Sequence, residues 1–289
     1  MTHKLLTLSF LAIIYTVSIT RLFVPLADKT RPLVQALLFR VFHNPGEKAM
    51  AAPNGRLFYK QDVRYLIEPV DLAEPRAAIR DFREQLALRG IRLIVVPIPV
   101  KPNTGVSSEI GDIDLLPLLR DRYLAYDTHW TCEGAQIAAK AVAALLPELR
   151  GTRNYEVKSV TIERKGDIVR MMDSPTLERF FPPETVSCQQ VQDYRDDPNS
   201  PLLVLGDSFL RIYQTDAPRS AGFLAQLARE LKMPLTSIVN DGGASTLVRQ
   251  ELARKPYMLK DKKVVIWEFV ERDLRFGAEG WQRVDLVER

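Results

Sequence analysis

A serine hydroxyl is a poor nucleophile until a neighbouring base takes its proton. Two short blocks of this sequence carry the residue types that such chemistry needs. The first is Gly206-Asp207-Ser208-Phe209, directly after the apolar run Leu202–Leu205. Gly206 permits a tight turn there, which would project the Ser208 hydroxyl from the carboxyl end of a strand into a cleft. In that position the Ser208 N–H would also be available to an oxyanion. Gly-Asp-Ser alone is equally an ordinary turn. The second block, Asp127-Thr128-His129-Trp130, supplies a base and a carboxylate to orient it. In an extended segment, residues i and i+2 point to the same side, so Asp127 would face His129. The chain has 3 histidines. His3 is at the amino terminus and His43 in a connecting stretch, so a Ser-His mechanism in the body of the chain must use His129. The competing reading is a capping loop, with Asp127 or Thr131 capping a helix and His129 satisfied in the core.

The elements that must position these blocks alternate in type. Asp71–Arg89 reads as a helix, with Leu72, Ile79, Phe82 and Leu86 near helical spacing and Gly90 at its stop. Ile91–Pro97 is a continuous apolar run, the pattern of a strand buried on both faces. Tyr126–Trp130 reads as a loop or strand end, and Thr131 caps a helix to about Leu146. Residues 151–200 are mixed and polar, a partly β insertion with strand-like Tyr155–Arg164. The alternation resumes with strand Leu202–Leu205, helix Arg219–Leu231, strand Leu235–Val239, helix Ser245–Arg254 and strand Val264–Phe269. Arg56–Ile67 has the aromatic and apolar look of strand and loop. The expected fold class is α/β, a flavodoxin-like three-layer sandwich with a mostly parallel sheet. Ligands of such sheets sit beyond the carboxyl ends of the strands.

Composition narrows the function classes. The 289 residues are 46% hydrophobic, enough for one α/β domain with a sizeable core. Net charge is +4, from 40 basic and 36 acidic residues. The balance is mild and no basic run occurs, which argues against nucleic-acid binding. Leu5–Thr20 is uncharged, and Leu5–Ala27 reaches the length of about 20 residues that crosses a membrane, with Arg21 able to snorkel. Residues 1–28 are therefore expected to be an uncleaved signal anchor, 29–54 a membrane-proximal connector, and 55–289 the functional domain. Lys4 would stay in the cytoplasm, leaving a single-pass inner-membrane protein with its domain in the periplasm. A buried soluble helix is the alternative. The 2 cysteines, Cys132 and Cys188, match no zinc or redox motif. They are open to two readings, one disulfide or two separate buried thiols.

DTHWTCEGA (Asp127–Ala135) and GDSF (Gly206–Phe209) together resemble the alginate O-acetyltransferases of the AlgX and AlgJ type. Their SGNH-hydrolase-like domain is circularly permuted, so that the Asp-x-His block precedes the Gly-Asp-Ser block, as it does here. GRLFYKQDVRYL (Gly55–Leu66), VVPIPVK (Val95–Lys101) and WEFVERDL (Trp267–Leu274) also look like the family. The resemblance implies Ser208 as nucleophile, His129 as base and Asp127 as orienter. It places Tyr213 near an aromatic position of the family's site, and Asn240 and Gly242-Gly243 where SGNH folds hold oxyanion donors. A turn before a helix is the plainer reading of those glycines. Arg211, Arg219 and Arg272 are candidates to meet an acidic polymer. The implied reaction moves an acetyl group through an acyl-serine to a polysaccharide hydroxyl, with a multipass membrane O-acyltransferase as donor partner and no metal or organic cofactor. Two departures stand out. Family members often have proline where this chain has Cys132, and the sequence ends shortly after WEFVERDL, as in the anchored AlgJ-type arrangement. A carbohydrate acetyl-esterase with the same triad and a non-catalytic scaffold of a polysaccharide-modifying complex are the rival functions.

Overall fold

The computed structural model describes residues 44–286 except 104 and 106, together with 37, 39 and 41. A short hairpin comes first, β1 (Ala49–Ala51) with β2 (Leu57–Tyr59), then helix α1 (Lys60–Ile67). The central sheet is built from β3 (Arg92–Ile98), β6 (Leu202–Gly206), β7 (Thr236–Val239) and β8 (Val264–Val270). Their order is β3-β8-β6-β7, all parallel, with Ile94 and Val204 both registered on Ile266.

Alternate residues of these strands feed two cores, because successive side chains leave opposite faces of a sheet. Ile94, Val96, Val204 and Ile266 pack with helices α3 (Cys132–Ala143) and α6 (Phe223–Leu231). Leu93, Val95, Leu205, Val265 and Trp267 pack with helices α2 (Ala73–Ala87) and α7 (Leu247–Arg254). The result is the expected three-layer arrangement around a parallel sheet. Helix α3 starts as its sequence requires, with the Thr131 hydroxyl accepting the Gly134 N–H at 3.1 Å.

Three sequence expectations change. Arg56–Ile67 is a three-residue strand followed by a helix, not strand and loop. The buried Asp62 of α1 pairs with Arg272 at 2.9 Å, and that long-range contact overrides the local β-like composition. The helix expected from Arg219 begins at Phe223, since Arg219 and Ser220 take φ of 68° and 48°, outside any right-handed helix. The single-pass inner-membrane placement is also corrected. Among the described residues no helix is long and apolar enough to cross a membrane, and Leu5–Ala27 lies outside the described residues.

Between α3 and β6 the chain forms an antiparallel hairpin of β4 (Val157–Arg164) and β5 (Glu184–Val191). Within it sits the short helix α4 (Asp167–Met171). Cys132, the first residue of α3, is joined by a disulfide to Cys188 of β5, with Cα atoms 5.2 Å apart. The sequence separation is 56. A loop of that size stabilises by about 4 kcal/mol on the chain-entropy model. Replacing both cysteines by serine should therefore lower Tm by roughly 10 °C. Calorimetry of the oxidised protein, the reduced protein and the double variant would check this, and three matching melting curves would show that the bridge adds nothing.

Candidate active site

Ser208 opens the helical turn α5 (Ser208–Arg211), directly beyond β6. The turn is fixed by Asp207. Its carboxylate accepts the Phe209 N–H at 2.8 Å and the Val270 N–H at 3.3 Å, while its own N–H donates to Glu268 Oε2 at 3.0 Å. Gly206 is required by close approach, since a Cβ there would lie 2.1 Å from Glu268 Oε2. Asp207 and Glu268 are both buried, and burial raises both carboxyls above their ordinary values; for Glu268 the neighbouring Asp207 adds to it. Glu268 is the single acid within the buried strand VVIWEFV, a signal that sequence reading passed over.

His129 sits between serine and acid. Its Nε2 lies 2.8 Å from Ser208 Oγ, and its Nδ1–H donates to Asp127 Oδ1 at 2.6 Å. Of the two readings, loop or strand end, the segment is a loop with a bend at residues 126–129. Asp127 Oδ1 also accepts the His129 backbone N–H at 3.1 Å, so the aspartate holds both the loop and the ring. Its other oxygen accepts Arg164 Nε at 3.0 Å and the Asp167 N–H at 3.1 Å. Burial works against the Asp127 carboxylate, but the His129 hydrogen bond and charge, with Arg164, outweigh it and hold the group far below the usual range. For His129 burial again disfavours the charged form, yet Asp127 and then Asp167 raise it to about 9.

A second tier keeps this loop in place. The Asp167 carboxylate accepts the Thr128 N–H at 2.7 Å and the Thr128 hydroxyl at 2.5 Å, and lies 3.4 Å from His129 Nδ1. Glu184 accepts the Ala125 and Tyr126 N–H groups at 2.5 and 2.8 Å. Lys101, just past β3, donates to the carbonyls of Leu57, Ala125 and Asp127 at 2.5, 2.7 and 3.1 Å. Burial pulls its ammonium down to about 7. Phe209 packs on the His129 ring at 4.7 Å between centroids and on Trp130 at 5.1 Å. Asp127, His129 and Asp167 are also the group with metal-ligand spacing among the described residues, within 4.8 Å of one another. A cation there would have to displace the proton that His129 Nδ1 donates to Asp127.

The other residues singled out from sequence fall around this centre. Tyr213 is fully buried with φ 59°, and its hydroxyl donates to the Trp130 carbonyl at 3.2 Å, so it braces the histidine loop from behind. Asn240 follows β7, and its N–H donates to the Gly206 carbonyl at 3.0 Å, beside the serine turn. Gly242 is exposed with φ 68°. Arg211 is paired twice, with Asp241 at 2.7 Å and Asp216 at 2.5 Å, and Asp216 in turn meets Arg164 at 3.3 Å. Arg219 is exposed, whereas Arg272 is only 16% exposed and held by Asp62.

Comparisons with known proteins bear on the family and the fold. The model described as the SGNH hydrolase-like domain of the acetyltransferase AlgX matches residues 103–271. AlgJ of Pseudomonas fluorescens, named a probable alginate O-acetylase, is 25% identical over 250 residues, covering 70% of this chain and 62% of the relative. The Pseudomonas aeruginosa protein of the same name is 23% identical over 297 residues, covering 84% and 75%. The chain thus spans under two thirds of the first relative's length. The solved O-acetyltransferase domain of Pseudomonas putida AlgJ superposes with a TM-score of 0.61 at 20% identity, covering 79% of this chain and 93% of that domain. At that identity the likeness speaks for the SGNH-like fold.

Proposed function

The chain belongs to the family of the SGNH hydrolase-like domain of the acetyltransferase AlgX, and we propose that it is an O-acetyltransferase acting on hydroxyls of a polysaccharide. Alginate, which names the two Pseudomonas relatives, is the first polymer to try. One observation carries the reading: a single imidazole spans a carboxylate at 2.6 Å and a serine hydroxyl at 2.8 Å.

In the first half-reaction Ser208 Oγ attacks the acetyl carbonyl of the donor. His129 Nε2 takes the hydroxyl proton and returns it to the departing donor group, leaving acetyl-Ser208. In the second half, a sugar hydroxyl gives its proton to His129 as it attacks that ester, and Ser208 leaves and takes the proton back. Asp127 fixes the tautomer that leaves Nε2 free and stabilises the imidazolium of each step. Both tetrahedral intermediates carry an oxyanion. The Ser208 N–H, with Asn240 and the Gly242 turn, is the donor set we assign to it, each such donor being worth about 3–4 kcal/mol. The donor is delivered by a membrane-embedded O-acyltransferase partner. The test is mass spectrometry of the full chain mixed with a chromogenic acetyl ester and short sugar oligomers. Acetyl found on Ser208 and then on the oligomer supports the transferase, whereas free acetate alone would make the protein an esterase.

The raised His129 sets the pH dependence. A base must be neutral to accept a proton, so acetylation of Ser208 should rise with pH and level off above about 9. Asp167→Asn removes one of the two carboxylates that favour the imidazolium, and should move this limb toward the ordinary histidine value. Initial rates across the neutral to alkaline range would read it, and a limb that stays in place would remove Asp167 from the base's environment. The same shift implies that protonated His129 stabilises the fold fully below its ordinary value near 6.5, and that this contribution is lost as pH rises through about 9.

A further inference from the structure

Beyond the carboxyl end of β8 lies a cavity of about 320 Å³, lined by Tyr59, Gln61, Arg272, Arg275 and Phe276. That volume is at the lower end of the range for small-ligand sites. None of its lining residues belongs to the triad, yet both walls are tied to it. Tyr59 is next but one to Leu57, whose carbonyl shares the Lys101 ammonium with the carbonyl of Asp127. Arg272 is next but one to Val270, whose N–H donates to Asp207, the neighbour of Ser208. Each wall is thus linked to the acetylation centre through one intermediary, Lys101 on the Tyr59 side and Asp207 on the Arg272 side.

Its chemistry is that of a sugar ring's surroundings. A pyranose offers an apolar C–H face and a rim of hydroxyls. Tyr59 and Phe276 offer aromatic surface, and Phe276 is left 48% exposed, a cost that a ligand face would remove. The Gln61 side chain is exposed and makes no hydrogen bond to any described residue, so its amide is free to meet a hydroxyl. Arg272, which lies over the Tyr59 ring at 5.6 Å, is neutralised by Asp62, and Arg275 by Glu68. Recognition here rests on ring contact and hydrogen bonds, not on net charge.

We propose that this cavity is a subsite for a sugar ring of the acceptor chain next to the ring that receives the acetyl group. The proposal rests on the acetyltransferase reading. It is tested by comparing transfer to an alginate hexasaccharide with transfer to its monosaccharide, in the wild type, Phe276→Ala and Gln61→Ala. Both side chains are exposed, so melting temperatures should match the wild type and certify the fold. The ratio of kcat/KM for hexamer to that for monomer should fall about fivefold in Phe276→Ala, in line with the loss of one ring contact, and fall also in Gln61→Ala. A ratio unchanged in both variants overturns the subsite. If the wild type acetylates no sugar, the acetyltransferase reading has failed, and the subsite is then judged by calorimetric titration of the hexasaccharide into Ser208→Ala. Binding that weakens about fivefold on adding Phe276→Ala sustains it; absent binding, or binding indifferent to Phe276, overturns it.

Discussion

Asp127→Asn should lower the rate of Ser208 acetylation by about ten-thousandfold while leaving the protein folded. The buried carboxylate receives four donors, from His129 Nδ1, the His129 backbone, Arg164 and the Asp167 backbone. An amide has one oxygen to offer them. If that oxygen keeps the Arg164 and Asp167 contacts, an NH2 group faces Nδ1, and the imidazole must accept there. The remaining ring proton then moves to Nε2, where it points at Ser208 and removes the base. Arg164 retains Asp216, so the hairpin keeps part of its anchoring. The readout is stopped-flow release of a chromophore from an acetyl ester, together with the pH limb. A variant within tenfold of wild type would show that Asp127 does not set the tautomer.

Ser208→Ala is expected to abolish the acetyl adduct and to reduce transfer by roughly a millionfold, as removal of a serine nucleophile does in other Ser-His enzymes. The substitution removes one oxygen at the head of a turn held by Asp207 and Glu268, so circular dichroism and Tm should hold. The outcome also separates the rival classes. A scaffold would support polysaccharide acetylation in cells as well with alanine as with serine. An esterase would lose activity with the substitution, but its wild type would release acetate without labelling the oligosaccharide. Retained transfer in Ser208→Ala would remove the acyl-serine route.

What was legible in the sequence follows from what is local. Ser208, His129 and Asp127 declare themselves by type, and the strand that leads into Ser208 by its unbroken apolar run. Thr131 announces its helix because capping involves only the next few residues. The supporting shell was not legible, because it is made by contact between distant segments. Arg164 and Asp167 sit in a stretch that reads as polar insertion, and nothing local says that both reach back to residue 127. Likewise Asp62 gave no sign that it would be buried against Arg272 and turn its segment into helix. The Asp-x-His spacing suggested an extended segment, but the aspartate's own hydrogen bond to the chain two residues on bends it. Glu268 could have been found, since one acid within an otherwise apolar strand must answer to something.

The strand that supplies Glu268 is the last of the sheet in sequence and lies inside it in space, between β3 and β6. During synthesis from the amino end, β3 and β6 are therefore complete well before the strand that separates them exists. Until then β6 has β7 on one side only and β3 has no partner in the sheet, and closing the sheet brings together residues as far apart as Ile94 and Ile266. Such non-local pairing makes folding slow and exposes strand edges in the interval. The serine turn is subject to the same delay, because the carboxylate that receives the Asp207 N–H arrives only with that strand. A ribosome-bound chain stalled before residue 264 would thus hold all three members of the triad and still lack the assembled site.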